Sequence, residues 1–117
     1  MKYEWIETEC GETYIRISAV KMLEVIGKSG YNVDKSDYVI NRYVLAAHMV
    51  PECDYETIRT YRNEYDYTDL NNGDVLNAET AASRDLRTLV KLITSTDANT
   101  AIITMKDLGV FQKEIKT

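Results

Sequence analysis

Carboxylates are the most concentrated reactive side chains in this sequence, and their excess lies in one segment. The acidic segment, residues 52–74 (ECDYETIRTYRNEYDYTDLNNGD), contains seven acids and two bases. Its excess of five negative charges equals the net charge of the whole chain, −5, so the remaining residues are neutral as a set. Paired carboxylates such as Glu64 with Asp66, or Asp69 with Asp74, are able to act as general acid and base. Such pairs occur in most acidic loops, so they predict no particular reaction.

The acidic segment is more typical of a protein-binding surface than of a catalytic site. It holds four of the nine tyrosines, and tyrosine is enriched at protein interfaces, where acids attract basic partners. We therefore predict a non-enzymatic binding protein that presents an acidic, tyrosine-rich surface to a basic protein partner. In composition the chain resembles small inhibitors, including phage-encoded ones, that imitate nucleic acid towards a nucleic-acid-binding enzyme. The predicted partner-binding residues are Glu56, Glu64, Asp66, Tyr67, Asp69 and Asp74.

The other residues able to catalyse or to bind metals are few and scattered. The single histidine, His48, stands beside Val44 and Leu45 in an apolar run, whereas a catalytic histidine needs a nucleophile and an orienting carboxylate. Two cysteines, Cys10 and Cys53, fall short of the usual set of zinc ligands. We predict no catalytic residue, no cofactor and no metal site. A small enzyme with an unidentified acidic site is kept as an alternative.

One stretch of the acidic segment has the spacing of a calcium loop. Residues 69–79, DLNNGDVLNAE, place oxygen-bearing side chains at alternating positions around a glycine, as calcium loops do. Together with the following RDLRTLVKLI, this stretch resembles a degenerate dockerin repeat, and VDKSDYVINRYVLAA, from Val33, resembles the helix of a companion repeat. Gly73 and Asp74 are interchanged relative to that repeat, and Thr80 stands where a bidentate acid is expected. The resemblance implies a second alternative, a calcium-dependent dockerin-like or EF-hand-like docking module.

Composition and charge indicate a globular protein and argue against several other classes. With 117 residues, 44% of them hydrophobic and 28% charged, the chain is expected to form one globular domain, residues 1–117. Its fourteen lysines and arginines are scattered, so we expect no direct binding to nucleic acid. The longest apolar run, Tyr38 to Val50, is too short for a membrane span. The start, MKYEWIETE, lacks the apolar stretch of an export signal, so we expect a cytoplasmic protein with free thiols.

Local patterns predict a hairpin followed by four helices. Alternation from Tyr3 to Ser18 around Gly11 indicates a β-hairpin. The third helix is predicted from Tyr55, Ile58 and later tyrosines that recur at helical spacing. The fourth is predicted from the cap Asn77 and from an apolar stripe of Ala82, Leu86, Leu89, Val90 and Ile93. The predicted helices span residues 19–26, 38–50, 55–66 and 78–95.

The C-terminal tail allows two interpretations. After a strand in TAIITM, Thr104 and Asp107 have the spacing of a helix cap, and Leu108, Phe111 and Ile115 share one helical face. The alternative is a second hairpin that turns at residues 106–109. The predicted fold class is α+β: a mainly helical single domain of about four to five helices, with a small antiparallel sheet from the N-terminal hairpin.

Overall fold

Strands dominate the fold, which the computed structural model describes for residues 1–49 and 54–115. The helices within this part are α1, Ala78–Thr94, and α2, Met105–Leu108, with a 3-10 turn at Ile17–Ala19. The strands are β1 Trp5–Glu7, β2 Tyr14–Arg16, β3 Val20–Asn32, β4 Asp37–Met49, β5 Tyr55–Arg62, β6 Tyr65–Asp69, β7 Val75–Leu76, β8 Ile102–Ile103 and β9 Val110–Ile115. The predicted mainly helical fold is therefore wrong.

The strands form three small sheets. The first has the order β2-β1-β8, with β1 antiparallel to β2 and parallel to β8. It confirms the predicted N-terminal hairpin, whose turn contains Gly11 at φ 74°. The other sheets have the orders β3-β4-β5 and β7-β6-β9 and are antiparallel throughout. The core lies where α1 packs on β4, β5 and β6.

The β3–β4 hairpin extends beyond the rest of the molecule. Each strand has 13 residues, but β5 accompanies β4 only as far as the pair Arg42–Arg62. We call residues 29–41, beyond that pair, the β-arm. The radius of gyration, 15.0 Å, exceeds the roughly 13 Å expected for a compact chain of this length, and the longest extent is 50 Å. The arm accordingly projects from the body.

The predicted helices 19–26 and 38–50 are strands because of their partners. Residues 44–47 of β4 are all buried, since this central strand is covered on both faces. A strand buried on both faces carries a continuous apolar run, which periodicity does not distinguish from a buried helix. The β-branched and aromatic residues of the run favour a strand. Residue 50, the predicted end of that helix, lies outside the described residues, as does Cys53.

A β-bulge explains why the predicted helix 55–66 is also wrong. Thr57 pairs with Ala46 and Arg59 with Leu45, so Ile58 is an extra residue in β5. The insertion brings both Ile58 and Tyr61 to the buried side, three positions apart. This spacing imitates the period of a helix although the backbone is extended.

The fourth predicted helix is confirmed. The Asn77 side chain accepts a hydrogen bond from the Thr80 N–H at 2.8 Å, which caps α1 at its first turn. In the tail, a strand and a short helix follow each other as predicted, whereas the alternative hairpin is wrong, because β8 pairs with β1 and β9 pairs with β6. The Asp107 carboxylate accepts a hydrogen bond from the Thr104 N–H at 2.8 Å, as the cap spacing predicted. Helix α2 nevertheless ends after four residues at Gly109, φ 87°, and β9 follows.

Candidate functional site

The structure spreads the predicted partner-binding acids over the surface. Glu56 lies near the start of β5 and Glu64 in the turn after it, and both are exposed. The strand from Glu56 to Arg62 alone spans roughly 20 Å, and Glu64 lies beyond its end. Asp66, on β6, is only partly exposed. These carboxylates do not converge on one point.

Tyr67 is a core residue and not the predicted surface residue. Its side chain is fully buried, with its ring 5.6 Å from the ring of Tyr61. The Tyr67 hydroxyl accepts a hydrogen bond from the Arg62 N–H at 2.8 Å, which satisfies it inside the protein. Burial raises the pKa of this hydroxyl. A partner has no access to the ring.

Asp69 and Asp74 bind Arg84 of helix α1. The Arg84 Nη1 donates to Asp69 at 2.7 Å and lies 3.5 Å from Asp74. The Arg84 hydrogen bond, together with the N–H of Asn71, holds the pKa of Asp69 below its ordinary value. These contacts fasten the β6–β7 turn to the helix. They also neutralise part of the acidic segment.

The same contacts occupy the stretch that resembles a calcium loop. Asp69 ends strand β6, and a two-residue strand follows the turn, so the stretch does not join two helices. Within residues 1–49 and 54–115, no group of three or more His, Cys, Asp or Glu side chains could hold a metal ion. Arg84 supplies the positive charge here.

Chelation is expected to leave the melting temperature unchanged. Because Arg84 already pairs with Asp69 and Asp74, removing divalent ions takes nothing from the folded state. Thermal unfolding with excess EDTA and with excess calcium would test this. A melting temperature that falls with EDTA and recovers with calcium would favour the docking module.

A charged cluster lies in the core between β5 and α1. The Arg59 Nη1 donates to Asp85 Oδ2 at 3.0 Å and to the Val110 carbonyl at 2.8 Å, and the Tyr61 hydroxyl donates to the same Asp85 oxygen at 2.5 Å. Asp85 is fully buried, and its Oδ1 has no hydrogen-bond partner among the described residues. Burial raises the pKa of Asp85 to about 6, although the Tyr61 hydrogen bond and the Arg59 charge oppose the rise.

Asp85 is expected to titrate near pH 6 and to make stability depend on pH. Between about pH 4 and pH 6 the folded protein keeps a proton on Asp85 that the unfolded chain has released. The free energy of unfolding therefore falls as pH rises through this window, by at most about 1.4 kcal/mol per pH unit. The ¹³C NMR signal of the Asp85 side-chain carboxyl, followed against pH, would measure its pKa. The pH dependence of stability should be weaker in Asp85→Asn; identical profiles would contradict the prediction.

A cavity of about 520 Å³ opens beside this cluster, and we call it the Arg59 cavity. Its apolar wall includes Leu70, Met105 and Phe111. Arg59 and Glu9 bring opposite charges to it, with Arg59 Nε 3.7 Å from Glu9 Oε2. The turn of the N-terminal hairpin positions Glu9, whose N–H donates to the Ile58 carbonyl of β5 at 2.8 Å.

The β-arm carries a second exposed feature, an aromatic pair. Tyr31 and Tyr38 are cross-strand neighbours whose rings meet edge to face at 5.3 Å. Ile40 lies on the same side of the sheet and lines a cavity of about 520 Å³ between the arm and α1. Glu79 lines the helix side of this cavity. Tyr43 lines the same cavity, so an aromatic and an acidic side chain share this wall outside residues 52–74.

Sequence reasoning missed both features, although each left a signal. Asp85 lies between Ala81 and Leu89 at four-residue spacing, so it is a single acid on the apolar face of helix α1. Tyr31 and Tyr38 flank the mostly polar stretch NVDKSD, whose residues 33–36 form the turn between two strands. The sequence pattern predicts helices over residues 19–26 and 38–50, and this prediction conceals the turn.

Comparison with known proteins gives no relative: no family model, curated protein or solved structure matches this chain. Neither helix in the described part of the chain has the length and apolar character needed to cross a membrane.

Proposed function

We propose that the protein is a non-enzymatic binding protein that presents tyrosine and acid to a basic protein partner at the tip of the β-arm. The observation that carries the proposal is the exposed pair Tyr31 and Tyr38, whose exposed fractions are 57% and 69%. Ile40 and Val33 beside them are also exposed. Contiguous apolar side chains on a projecting element mark interaction sites, and tyrosine is a frequent anchor of binding energy.

The charges around this aromatic pair favour a basic partner. Asp34 and Asp37 are exposed in and beside the turn of the arm, with one base, Lys35, between them. The cavity lined by Ile40 adds no net charge, because Glu79 and Arg87 of α1 both line it. Acids flanking an aromatic anchor attract a basic surface and raise its association rate.

In this proposal the acidic segment contributes less to partner binding than the β-arm does. Arg84 pairs with Asp69 and Asp74, so imitation of a row of phosphates would depend mainly on Glu56 and Glu64. Because Glu56 and Glu64 lie far apart, we expect them to attract a basic partner at long range and not to imitate the spacing of phosphates. A nucleic-acid-binding enzyme as the partner and a cytoplasmic address remain predictions.

The enzyme alternative has less support from the two cavities described above. Each of them has a single carboxylate on its wall, Glu9 in one and Glu79 in the other. Acid–base catalysis by paired carboxylates needs two such groups within reach of one substrate. The binding proposal needs only the exposed anchor.

Replacing both arm tyrosines is expected to abolish partner binding and to leave the fold intact. In Tyr31→Ser with Tyr38→Ser, the changed side chains are exposed and distant from the core, so the melting temperature should change little. The matched control is Leu70→Ser with Val75→Ser, which removes two apolar side chains of similar exposure from another surface. Each tagged variant would be compared with the wild type for co-purification of the partner from the native host.

The proposal predicts loss of the partner with the arm variant and retention with the control. A third variant, Glu56→Gln with Glu64→Gln, should reduce binding at low salt and match the wild type at high salt, because screening removes long-range attraction. Equal retention by the arm variant and the wild type would place the interface elsewhere.

A further inference from the structure

The Arg59 cavity contains a donor, Arg59, and an acceptor, Glu9, each of which can form a further hydrogen bond. The Arg59 Nη1 donates to Asp85 and to the Val110 carbonyl. Its Nη2 has no partner among the described residues and is not completely buried. Glu9 accepts the Thr60 N–H through Oε1 at 3.2 Å. Its Oε2 lies 3.7 Å from Arg59 Nε, too far for a hydrogen bond.

We propose that this cavity binds a small neutral molecule consisting of an apolar ring and an amide edge, such as an aromatic carboxamide or a lactam. In a primary amide or lactam, the carbonyl oxygen and an N–H lie side by side on one edge. The oxygen accepts from Arg59, and the N–H donates to Glu9 Oε2. Hydrogen bonds to charged partners are stronger than those between neutral groups, which gives the pair its selectivity.

The charges around the cavity favour a neutral ligand over an ion. The Arg59 guanidinium is already paired with Asp85 and has Glu9 close by. A carboxylate would therefore meet two acids, while a cationic ligand would meet Arg59 and Lys106 on the wall. For a carboxylate the remaining counter-charge on the wall is Lys106, which is exposed, so that solvent weakens the pairing, and an ion of either sign would lose hydration on entering an apolar cavity.

The walls select the apolar ring. Leu70 and Phe111 are 63% and 62% exposed, so two large apolar side chains face water around the opening. Met105 also lines the wall, and its flexible thioether adapts to a ring of varied shape. A cavity of about 520 Å³ is within the size range of small-molecule sites.

This site is independent of the proposed partner surface. Neither Tyr31 nor Tyr38 contributes to the wall of the Arg59 cavity, which is built by β5, α2, β9 and the turns next to β1 and β6. The test below uses the purified chain alone. Failure of one proposal therefore leaves the other untouched.

Four probes of nearly equal shape separate the possible ligand chemistries: benzamide, benzoate, benzamidine and toluene. Each would be titrated into ¹⁵N-labelled protein, with the amide signals of residues 109–112 as the readout. We expect benzamide to bind saturably with a Kd of about 1 mM, as is reasonable for so small a ligand. The other three probes should bind at least several times more weakly.

A pair of matched variants tests the role of Glu9. In Glu9→Gln the side-chain oxygen that accepts the Thr60 N–H is kept, but the second acceptor becomes a donor. This variant should bind benzamide about tenfold more weakly and toluene unchanged. Glu12→Gln, an exposed acid in the same turn, should bind both like the wild type.

Three results would overturn the inference. The first is the absence of saturable shifts at residues 109–112 with about 10 mM benzamide, well above the expected Kd. The second is binding of benzoate, benzamidine or toluene as tight as that of benzamide. The third is equal benzamide affinity in the Glu9→Gln and Glu12→Gln variants.

Discussion

Replacing Asp85 by alanine is expected to lower the free energy of unfolding by about 3 kcal/mol. The change leaves the buried Arg59 guanidinium without its counter-charge and the Tyr61 hydroxyl without its acceptor. Breaking a buried ion pair in this way costs about 3–5 kcal/mol. We expect the lower end, because Arg59 keeps the Val110 carbonyl at 2.8 Å and the nearby Glu9 carboxylate. Equilibrium unfolding in urea, followed by circular dichroism, would measure the loss.

The double variant Arg59→Met with Asp85→Leu is the control for this interpretation. Removing both charges also removes the penalty of burying them, so the double variant should be more stable than Asp85→Ala alone. The reverse order would show that the pair itself, and not the unpaired charge, supplies the stability. Wild-type stability for Asp85→Ala would contradict burial of the cluster.

Replacing Leu89 by alanine is expected to cost roughly 2–5 kcal/mol, the range for leucine truncations in cores. Leu89 is fully buried and belongs to the hydrophobic core where α1 packs on the sheets. The matched control is Arg87→Ala in the same helix. Arg87 is exposed, so its replacement should change stability by less than about 0.5 kcal/mol.

The two α1 variants would be compared by their urea midpoints at equal m-values. A midpoint for Leu89→Ala clearly below that of Arg87→Ala would agree with the buried face of α1. Equal midpoints would show that this face is not the one that packs on the sheets.

The elements that the sequence predicts correctly are those whose determinants are local. Gly11 marks the first hairpin turn, Asn77 caps α1, and the Thr104–Asp107 spacing marks the start of α2. Each depends on contacts within about four residues, so it is visible in a short window of sequence. The concentration of acid in residues 52–74 is likewise a property of the sequence alone.

The central sheet follows from contacts that no short window contains. β4 is a strand because β3 and β5 pair with it on both sides, although its apolar run also fits a buried helix. Ile58 and Tyr61 show helical spacing because a bulge, fixed by the register with β4, inserts one residue. Pairing across the sheet supplies the missing information.

The sequence by itself determined the local turns and caps, helix α1 and the placement of the net charge. Only the tertiary structure decided which charges are free and which are used. It pairs Arg59 with Asp85, 26 residues away, and Arg84 with Asp69, and it buries Tyr67 while exposing Tyr31. The physical reason is that burial and ion pairing depend on which distant segments pack together, whereas propensity and capping act between neighbours in the chain.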